Sequence, residues 1–520
     1  MTLLEERSEQ SLPPRADPVA VAVRLRPRES RGMEQRFGPS DPPRGWDLAR
    51  NPHIARLLRS RKFQFFLILP NQLIFWLVIF VGVLGSVVPG LNFGTAITWY
   101  VWFCLVFVMM VVVGRAWCVM CPFGGFAEWI QRRSFWRRTQ HRLGLGRTLP
   151  EPIARYGFLL SVGSFLLLTW IEEFFNIAGP GNPVATSLMV LGIVASALTF
   201  FLLFDRRTFC RYICPLSAVI GTVGGIGSVA GFRTRDRQVC LSCNTKDCMR
   251  GGESGYGCPW YTWPGSADSN LACGLCSECY KACPSDNIGL YVQKPLTSIV
   301  APTRRRIDVA WAIALLWGLV VFQQFNALNL YARLDSWLNR YTHFPQYPNP
   351  IDYLGLIGLA AAVTAGLAKV IQLALGRRDM NLDRPGTFLE RTSAFRSFFQ
   401  PLMYGIVPVV GADYFARQLP KFLLHSPRVV PAVGHFFGAG STHSLLYHTS
   451  IATGSGIVAI QVVVIAIGTL AAMWTSWRIS GRELTAIATR PLLARFSAVG
   501  LAAAFGLLAS VLYVAMHAAP

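Results

Sequence analysis

The chain has 520 residues, 52% of them hydrophobic and only 15% charged, against about 25% charged in an ordinary soluble protein. With several apolar runs of about 20 residues, this composition points to a polytopic α-helical membrane protein and excludes, for the whole chain, disorder, a secreted disulfide scaffold and a soluble enzyme. Lys and Arg outnumber Asp and Glu by 49 to 27, a net charge of +22; in a membrane protein such an excess sets topology, and no soluble basic domain is present that would bind nucleic acid.

Residues 1–60 are rich in Arg, Pro and Ser and lack apolar periodicity, which predicts a disordered basic cytoplasmic leader. Early acidic residues and the lack of an apolar core exclude a cleavable signal peptide. Nine spans are predicted, near 64–88, 97–114, 154–174, 184–204, 308–330, 352–375, 397–417, 449–476 and 494–516. Basic clusters at Arg56–Lys62, Arg132–Arg147, Arg206-Arg207, Arg304–Arg306 and Arg377-Arg378 then fall on one side, taken as the cytoplasm, while loops 89–96 and 175–183 have no Lys or Arg. The predicted organisation is a four-span membrane domain (61–235), a ferredoxin-like insert (236–295) and a five-span C-terminal domain (305–520). The Gly-rich stretch 216–231 is too short for a span and reads as an interfacial or re-entrant piece.

Of the 13 cysteines, twelve lie between Cys118 and Cys283, and on the cytoplasmic side thiols favour metal ligation over disulfides. Cys273-x2-Cys276-x2-Cys279-x3-Cys283-Pro284 fits the bacterial two-cluster ferredoxin run, in which the fourth thiolate serves the other cluster. Its partner set is Cys240, Cys243, Cys248 and Cys258-Pro259, stretched by insertions. The crossed rule therefore assigns Cys240, Cys243, Cys248 and Cys283 to one 4Fe–4S cluster and Cys258, Cys273, Cys276 and Cys279 to a second. A pair of zinc sites is the competing assignment.

Two further motifs close the second and fourth spans: Gly114-Arg115-Ala-Trp117-Cys118-Val-Met-Cys121-Pro122 and Arg207-Thr-Phe-Cys210-Arg-Tyr-Ile-Cys214-Pro215. Cys118, Cys121, Cys210 and Cys214 are candidate ligands of a third 4Fe–4S cluster, with Arg115, Arg207 and Arg211 favouring the thiolate form. A redox-active dithiol, a copper or zinc site, and packing cysteines are the alternatives. Cys104, inside the second span, is assigned to packing.

These two Cys-Pro motifs followed by a two-cluster insert resemble the membrane polyferredoxins of the NapH, MauN, NosR and CcoG group, over about residues 60–300. That resemblance implies electron transfer through 4Fe–4S clusters on the cytoplasmic side of a bacterial inner membrane. The group's usual membrane-end motif is C-x3-C-P, which Cys214 obeys and Cys121 misses by one residue. The C-terminal spans do not match the shorter NapH pattern.

Other polar residues each admit two roles. Glu172 and Glu173 end the third span and are either quinol proton acceptors or interfacial charges. Asp413 is either a functional intramembrane acid or the i+4 partner of Arg417. Glu128 is placed to pair with the motif arginines or to face water. His425, His435, His443 and His448 are candidate haem or copper ligands, or plain interfacial histidines. No P-loop, dinucleotide fingerprint, nucleophile elbow or H-E-x-x-H is present. The expectation is a membrane electron carrier working with a redox protein, a respiratory complex or quinone. Its rivals are an assembly factor that reduces copper and a redox-sensing regulator.

Overall fold

The computed structural model describes residues 45–133, 135, 145–178, 181–302, 305–344, 348–376 and 393–518. Most of the predicted leader, together with Arg304 and Arg377-Arg378, lies outside the described residues. Among those described, eight helices are long and apolar enough to cross a membrane: Arg61–Leu84, Phe93–Arg132, Gly157–Phe174, Pro183–Leu203, Ile307–Phe325, Pro350–Leu375, Gly454–Glu483 and Pro491–Met516. They coincide with eight of the nine predicted spans. The segment expected at 397–417 is instead two helices, Ser393–Gly405 and Val407–His425, meeting at Ile406. Pro408 explains the break, because it offers no N–H to the carbonyl four residues back and its ring crowds that turn. Phe398, Phe399, Ile406 and Val409 are fully buried, so this broken pair runs through the interior of the bundle.

The helix starts follow one local grammar. Asn51, Asn182 and Asn349 each precede a proline and accept a backbone N–H with the side chain, at 2.9, 3.0 and 3.0 Å. Proline at the first helical position loses only an N–H that would have no partner, and the amide oxygen satisfies another. Ile307–Phe325 is the central helix: 78% of its apolar window is buried, against 28–39% for the other spans. Lipid tails supply no hydrophobic drive between helices, so close packing must hold them together. Ala310, Ala312 and Ala314 are fully buried on this helix. At Gly318 an added Cβ would stand 2.5 Å from the Ile357 carbonyl oxygen, which shows how closely Pro350–Leu375 approaches. The outward faces carry exposed Phe80, Val370, Leu470 and Leu507, as a lipid-facing surface requires.

A small antiparallel sheet organises the insert. Its strands are β1 (Trp46–Asp47), β2 (Val229–Thr234) and β3 (Ile288–Val292), in the order β1-β3-β2. Asp47 pairs with Tyr291, and Thr234 with Ile288. Residues 45–59, read from sequence as the end of a disordered leader, are therefore ordered. The Asp47 carboxylate accepts from the backbone of Ala49 (2.9 Å) and Leu290 (3.1 Å) and pairs with Arg235 at 2.8 Å. The following helix, Pro52–Arg59, is amphipathic and sets Leu58 into the core of the insert beside Phe232, Tyr280 and Ile288. β2 likewise joins the insert, although it precedes the predicted boundary at 236.

Candidate metal centres

The twelve clustered cysteines lie as neighbours of one another, Cys279 having Cys258, Cys276, Cys273 and also Cys248 around it; their spacing divides them into three predicted sets of four. Cys240, Cys243, Cys248 and Cys283 line one small cavity with Pro284, Asn287 and Trp263. Burial, then the neighbouring Cys240, Cys283 and Cys243, push the Cys248 thiol up to about 12. The Cys240 sulfur lies 3.0 Å from Thr234 Oγ1 and accepts from Asn287 Nδ2 at 3.4 Å. The backbone N–H of Asn287 donates to the Cys283 sulfur at 3.3 Å.

Cys258, Cys273, Cys276 and Cys279 form the second group. The Cys279 thiol is held well above its ordinary value by burial, then by Cys258, Cys276 and Cys273. The backbone of Thr262 donates to the Cys258 sulfur at 3.4 Å. Gly231, at φ +90°, bends β2 around this group: a Cβ there would stand 2.8 Å from the Cys273 sulfur. Only glycine combines that conformation with that approach.

Cys118, Cys121, Cys210 and Cys214 form the third group. Burial pushes the Cys214 thiol up to about 12, with Cys121 and Cys118 as the next causes. The Cys210 thiol is likewise raised by burial and has Cys214, Cys121 and Cys118 around it. Both Cys-Pro motifs use the helix-start grammar already seen at Asn-Pro, with sulfur in place of the amide. Cys121 is extended and Cys214 is also non-helical (ψ 120°), and Pro122 and Pro215 open the helices Pro122–Arg132 and Pro215–Val223. The backbone N–H groups of Phe123 and Gly124 turn toward the Cys121 sulfur, and those of Leu216 and Ser217 toward Cys214, without forming full capping bonds. Two helix N-termini thus face one spot, which favours negative charge there.

The two motifs differ by one residue, and the backbone absorbs the difference. Trp117–Met120 is an α turn, whereas Phe209–Ile213 is a π turn closed by Cys214 N–H to the Phe209 carbonyl at 2.8 Å. A π turn holds one residue more than an α turn, which takes up the extra residue of the second motif, and Cys121 and Cys118 remain neighbours of Cys214. Before Cys118, the chain turns at Gly114, at φ +66°, where a Cβ would meet Asn270 Nδ2 at 2.7 Å. That amide donates to the carbonyls of Gly224 (2.7 Å) and Val229 (3.0 Å) and plugs the insert into the break.

Arginines fasten the groups to one another. Arg207, 1% exposed, pairs with Glu128 at 2.5 Å and donates to the Cys118 carbonyl at 3.0 Å. Its charged neighbours include Cys210 of the third group and Cys276 of the second. Arg206 donates to the carbonyls of Met249 (2.5 Å) and Cys258 (2.8 Å), and Arg211 to that of Trp260 (2.8 Å). Arg115 stacks on Trp260 at 4.5 Å and bonds to Ser217 and the Leu271 carbonyl. The first and second groups are joined directly, Cys258 N–H donating to the Cys248 carbonyl at 2.7 Å. Glu128 is therefore a buried ion-pair partner, not a solvated charge.

The donor chemistry fits iron–sulfur clusters. Four buried thiols cannot all ionise together without added positive charge, and metal ligation displaces their protons. Among the described residues no group of three or more Cys, His, Asp or Glu is placed to hold a single metal ion. The indole N–H of Trp260, 2% exposed, has no protein partner and lies against Gly274, between Cys273 and Cys276. An unpaired buried donor beside thiols suits a cluster, whose sulfurs accept hydrogen bonds. No sequence signal marked Trp260 or Arg206, beyond their places next to Cys258-Pro259 and Arg207.

The remaining candidates are placed elsewhere. Glu173 pairs with Arg417 at 3.1 Å, and Glu172 faces Lys421 at 4.0 Å. Asp413 is buried and accepts a hydrogen bond from Gln324. His425 packs against Tyr100, while the rings of His435 and His448 each lie within hydrogen-bond distance of a loop carbonyl, those of Gly440 (3.0 Å) and Thr442 (2.8 Å). Cys104 is a buried packing residue beside Leu419 and Ile457.

Comparison with known proteins bears on these centres. Residues 95–140 and 186–230 each match the family model described as a 4Fe-4S binding domain, and each segment holds one Cys-Pro motif. The chain is 34% identical over 140 residues to the ferredoxin-type protein NapH of Escherichia coli (strain K12), covering 25% of this chain and 44% of NapH. It is 36% identical over 66 residues to the early E3B 12.7 kDa protein of human adenovirus A serotype 12, covering 12% of this chain and 60% of that protein. The chain thus spans less than two thirds of either relative. No solved structure matches it. Two segments that match a 4Fe–4S binding domain thus lie among apolar membrane-length helices, and over a quarter of its length the chain is similar to a ferredoxin-type protein.

Proposed function

We propose that this protein carries three 4Fe–4S clusters and conducts single electrons between a redox protein docked on the insert and the membrane. Cys240, Cys243, Cys248 and Cys283 hold the outermost cluster; Cys258, Cys273, Cys276 and Cys279 the middle one; Cys118, Cys121, Cys210 and Cys214 the one at the membrane face. When bound, a 4Fe–4S cluster takes up and releases one electron with little rearrangement. The chain's own groups set the conditions. Asn287, Thr234 and the N–H groups at the Cys-Pro starts stabilise charge on sulfur, and burial keeps water away.

The observation that carries this reading is the adjacency of the three groups. The Cys258–Cys248 backbone bond links the first to the second, and Arg207 stands between Cys276 and Cys210. A continuous path of redox centres from an exposed domain to a membrane face is what an electron carrier needs. The basic loops favour the cytoplasm of a bacterial inner membrane as the side of the insert, with a respiratory complex or the quinone pool at the far end.

Anaerobic purification tests it. About twelve iron and twelve inorganic sulfide per chain are expected from three tetra-cysteine groups, and about eight if the membrane-face group is empty. Protein that stays iron-free after anaerobic reconstitution overturns the proposal.

A further inference from the structure

A cavity of about 1110 Å³ lies between the sheet of the insert and the basic ends of Gly454–Glu483 and Pro491–Met516. Its wall carries Arg233, Lys294, Arg478, Arg482 and Arg495 against a single acid, Asp268. Arg482 is already committed to the carbonyls of Ala301 and Pro302. Arg233 is not: it is 6% exposed, its one hydrogen bond is a long 3.4 Å to Gln293, and its Nε and Nη2 have no partner. The Arg495 guanidinium lies 3.5 Å from the ring centre of Trp477, and its Nε is also unpartnered. Guanidinium groups taken out of water need acceptors, and this wall offers fewer than its cations require.

The position of the cavity narrows the ligand. It opens where two spans end, beside Trp474, which is 47% exposed. Tryptophans at span ends mark the headgroup level of a bilayer, and basic pockets there attract anionic lipid headgroups. We infer that this cavity is a phosphate-binding site that takes the headgroup of an anionic phospholipid. Bound there, the phosphate ties the electron-transfer insert, through Arg233 and Lys294, to the C-terminal spans, through Arg478 and Arg495. Arg233 also has Asp268 and, from the second cysteine group, Cys273 among its charged neighbours, so the test below changes only Arg478 and Arg495 and reads lipid, not iron.

The full chain is reconstituted in nanodiscs of phosphatidylcholine with phosphatidylglycerol, and the lipids it retains are counted by native mass spectrometry. Selective retention of phosphatidylglycerol is expected. Each cation is worth a factor of about five, so Arg478→Gln with Arg495→Gln should weaken retention roughly 25-fold. The pair Arg478→Lys with Arg495→Lys, which keeps the charge, should restore most of it, separating loss of the site from loss of the fold. A parallel arm adds inorganic phosphate to lipid-stripped protein in detergent. A rise in melting temperature equal to that given by phosphatidylglycerol, and lost in the glutamine pair, would identify free phosphate as the source of the same chemistry. Equal retention of both lipids with no effect of phosphate, or a phosphatidylglycerol preference untouched by the glutamine pair, overturns the inference.

Discussion

Glu128→Gln should destabilise the protein by about 3–5 kcal/mol, the usual result of removing one partner from a buried ion pair. An exposed pair would be worth only about 0–1 kcal/mol, so burial decides the magnitude. The side chains of Glu128 and Arg207 are 5% and 1% exposed, and Oε2 of Glu128 receives Nη2 and Nε of Arg207 at 2.5 and 3.2 Å. Arg132, 10% exposed, holds the other carboxylate oxygen. Glutamine keeps the shape but leaves two guanidinium groups facing a neutral amide where water is excluded. Arg207 would retain the Cys118 carbonyl and its neighbours Cys210 and Cys276, and Arg132 its stack on Tyr256 at 3.7 Å.

The partner change Arg207→Met should cost a similar amount, because it strands the carboxylate with Arg132 alone. Making both changes removes the Arg207–Glu128 pair and leaves only Arg132, 10% exposed, facing the amide, so it should recover part of the loss, since apolar replacement of a whole buried pair is often near neutral. Thermal unfolding of the purified chain in detergent, run as a double-mutant cycle, measures this coupling. Two single variants within about 0.5 kcal/mol of the parent, or effects that simply add, would show that the pair is not the fastener inferred here.

Three further outcomes follow from the centres. Trp260→Phe removes the buried N–H beside Gly274 and should move the reduction potential of the middle cluster to a more negative value, because a hydrogen bond to sulfur favours the more negative reduced state; an unchanged potential in a redox titration would show that the indole points at nothing. Gly231→Ala adds a Cβ 2.8 Å from the Cys273 sulfur at φ +90°, which should cost about 1–3 kcal/mol and lower iron content, whereas retained iron and an unchanged melting temperature would refute the close approach. Cys214→Ser and Cys248→Ser should each remove a different electron paramagnetic resonance signal with about four iron, and loss of the same signal in both variants would break the grouping.

How far the sequence could be read depended on which physical constraint each segment answers to. Lipid contact forces a long apolar run, so the seven helices that face it were readable, and the buried central helix Ile307–Phe325 was readable by the same length and apolarity. Ser393–Gly405 and Val407–His425 face protein instead, and there Asp413, Arg417 and Lys421 find partners and Pro408 can break the helix. Hydropathy therefore described a single span where the chain makes two helices. The proposed grouping of the thiols rests on fixed spacing and on the proline after each fourth cysteine, which limit where a sulfur can point. Trp260, Arg206 and the Asp47 strand had no such mark, because their roles arise from contacts across long sequence separations, such as Asp47 with Arg235. The most instructive case is the pair of Cys-Pro motifs. By spacing alone Cys118 and Cys121 are one residue short of their counterparts, and strict motif matching would set them apart. Backbone geometry removes the difference, because Phe209–Ile213 takes a π turn where Trp117–Met120 takes an α turn. What the two segments share is a thiol at a proline-started helix end, and that depends on the position of the last cysteine and not on the count before it. The same two segments each match one 4Fe–4S family model, so the one-residue difference in spacing does not remove either from it.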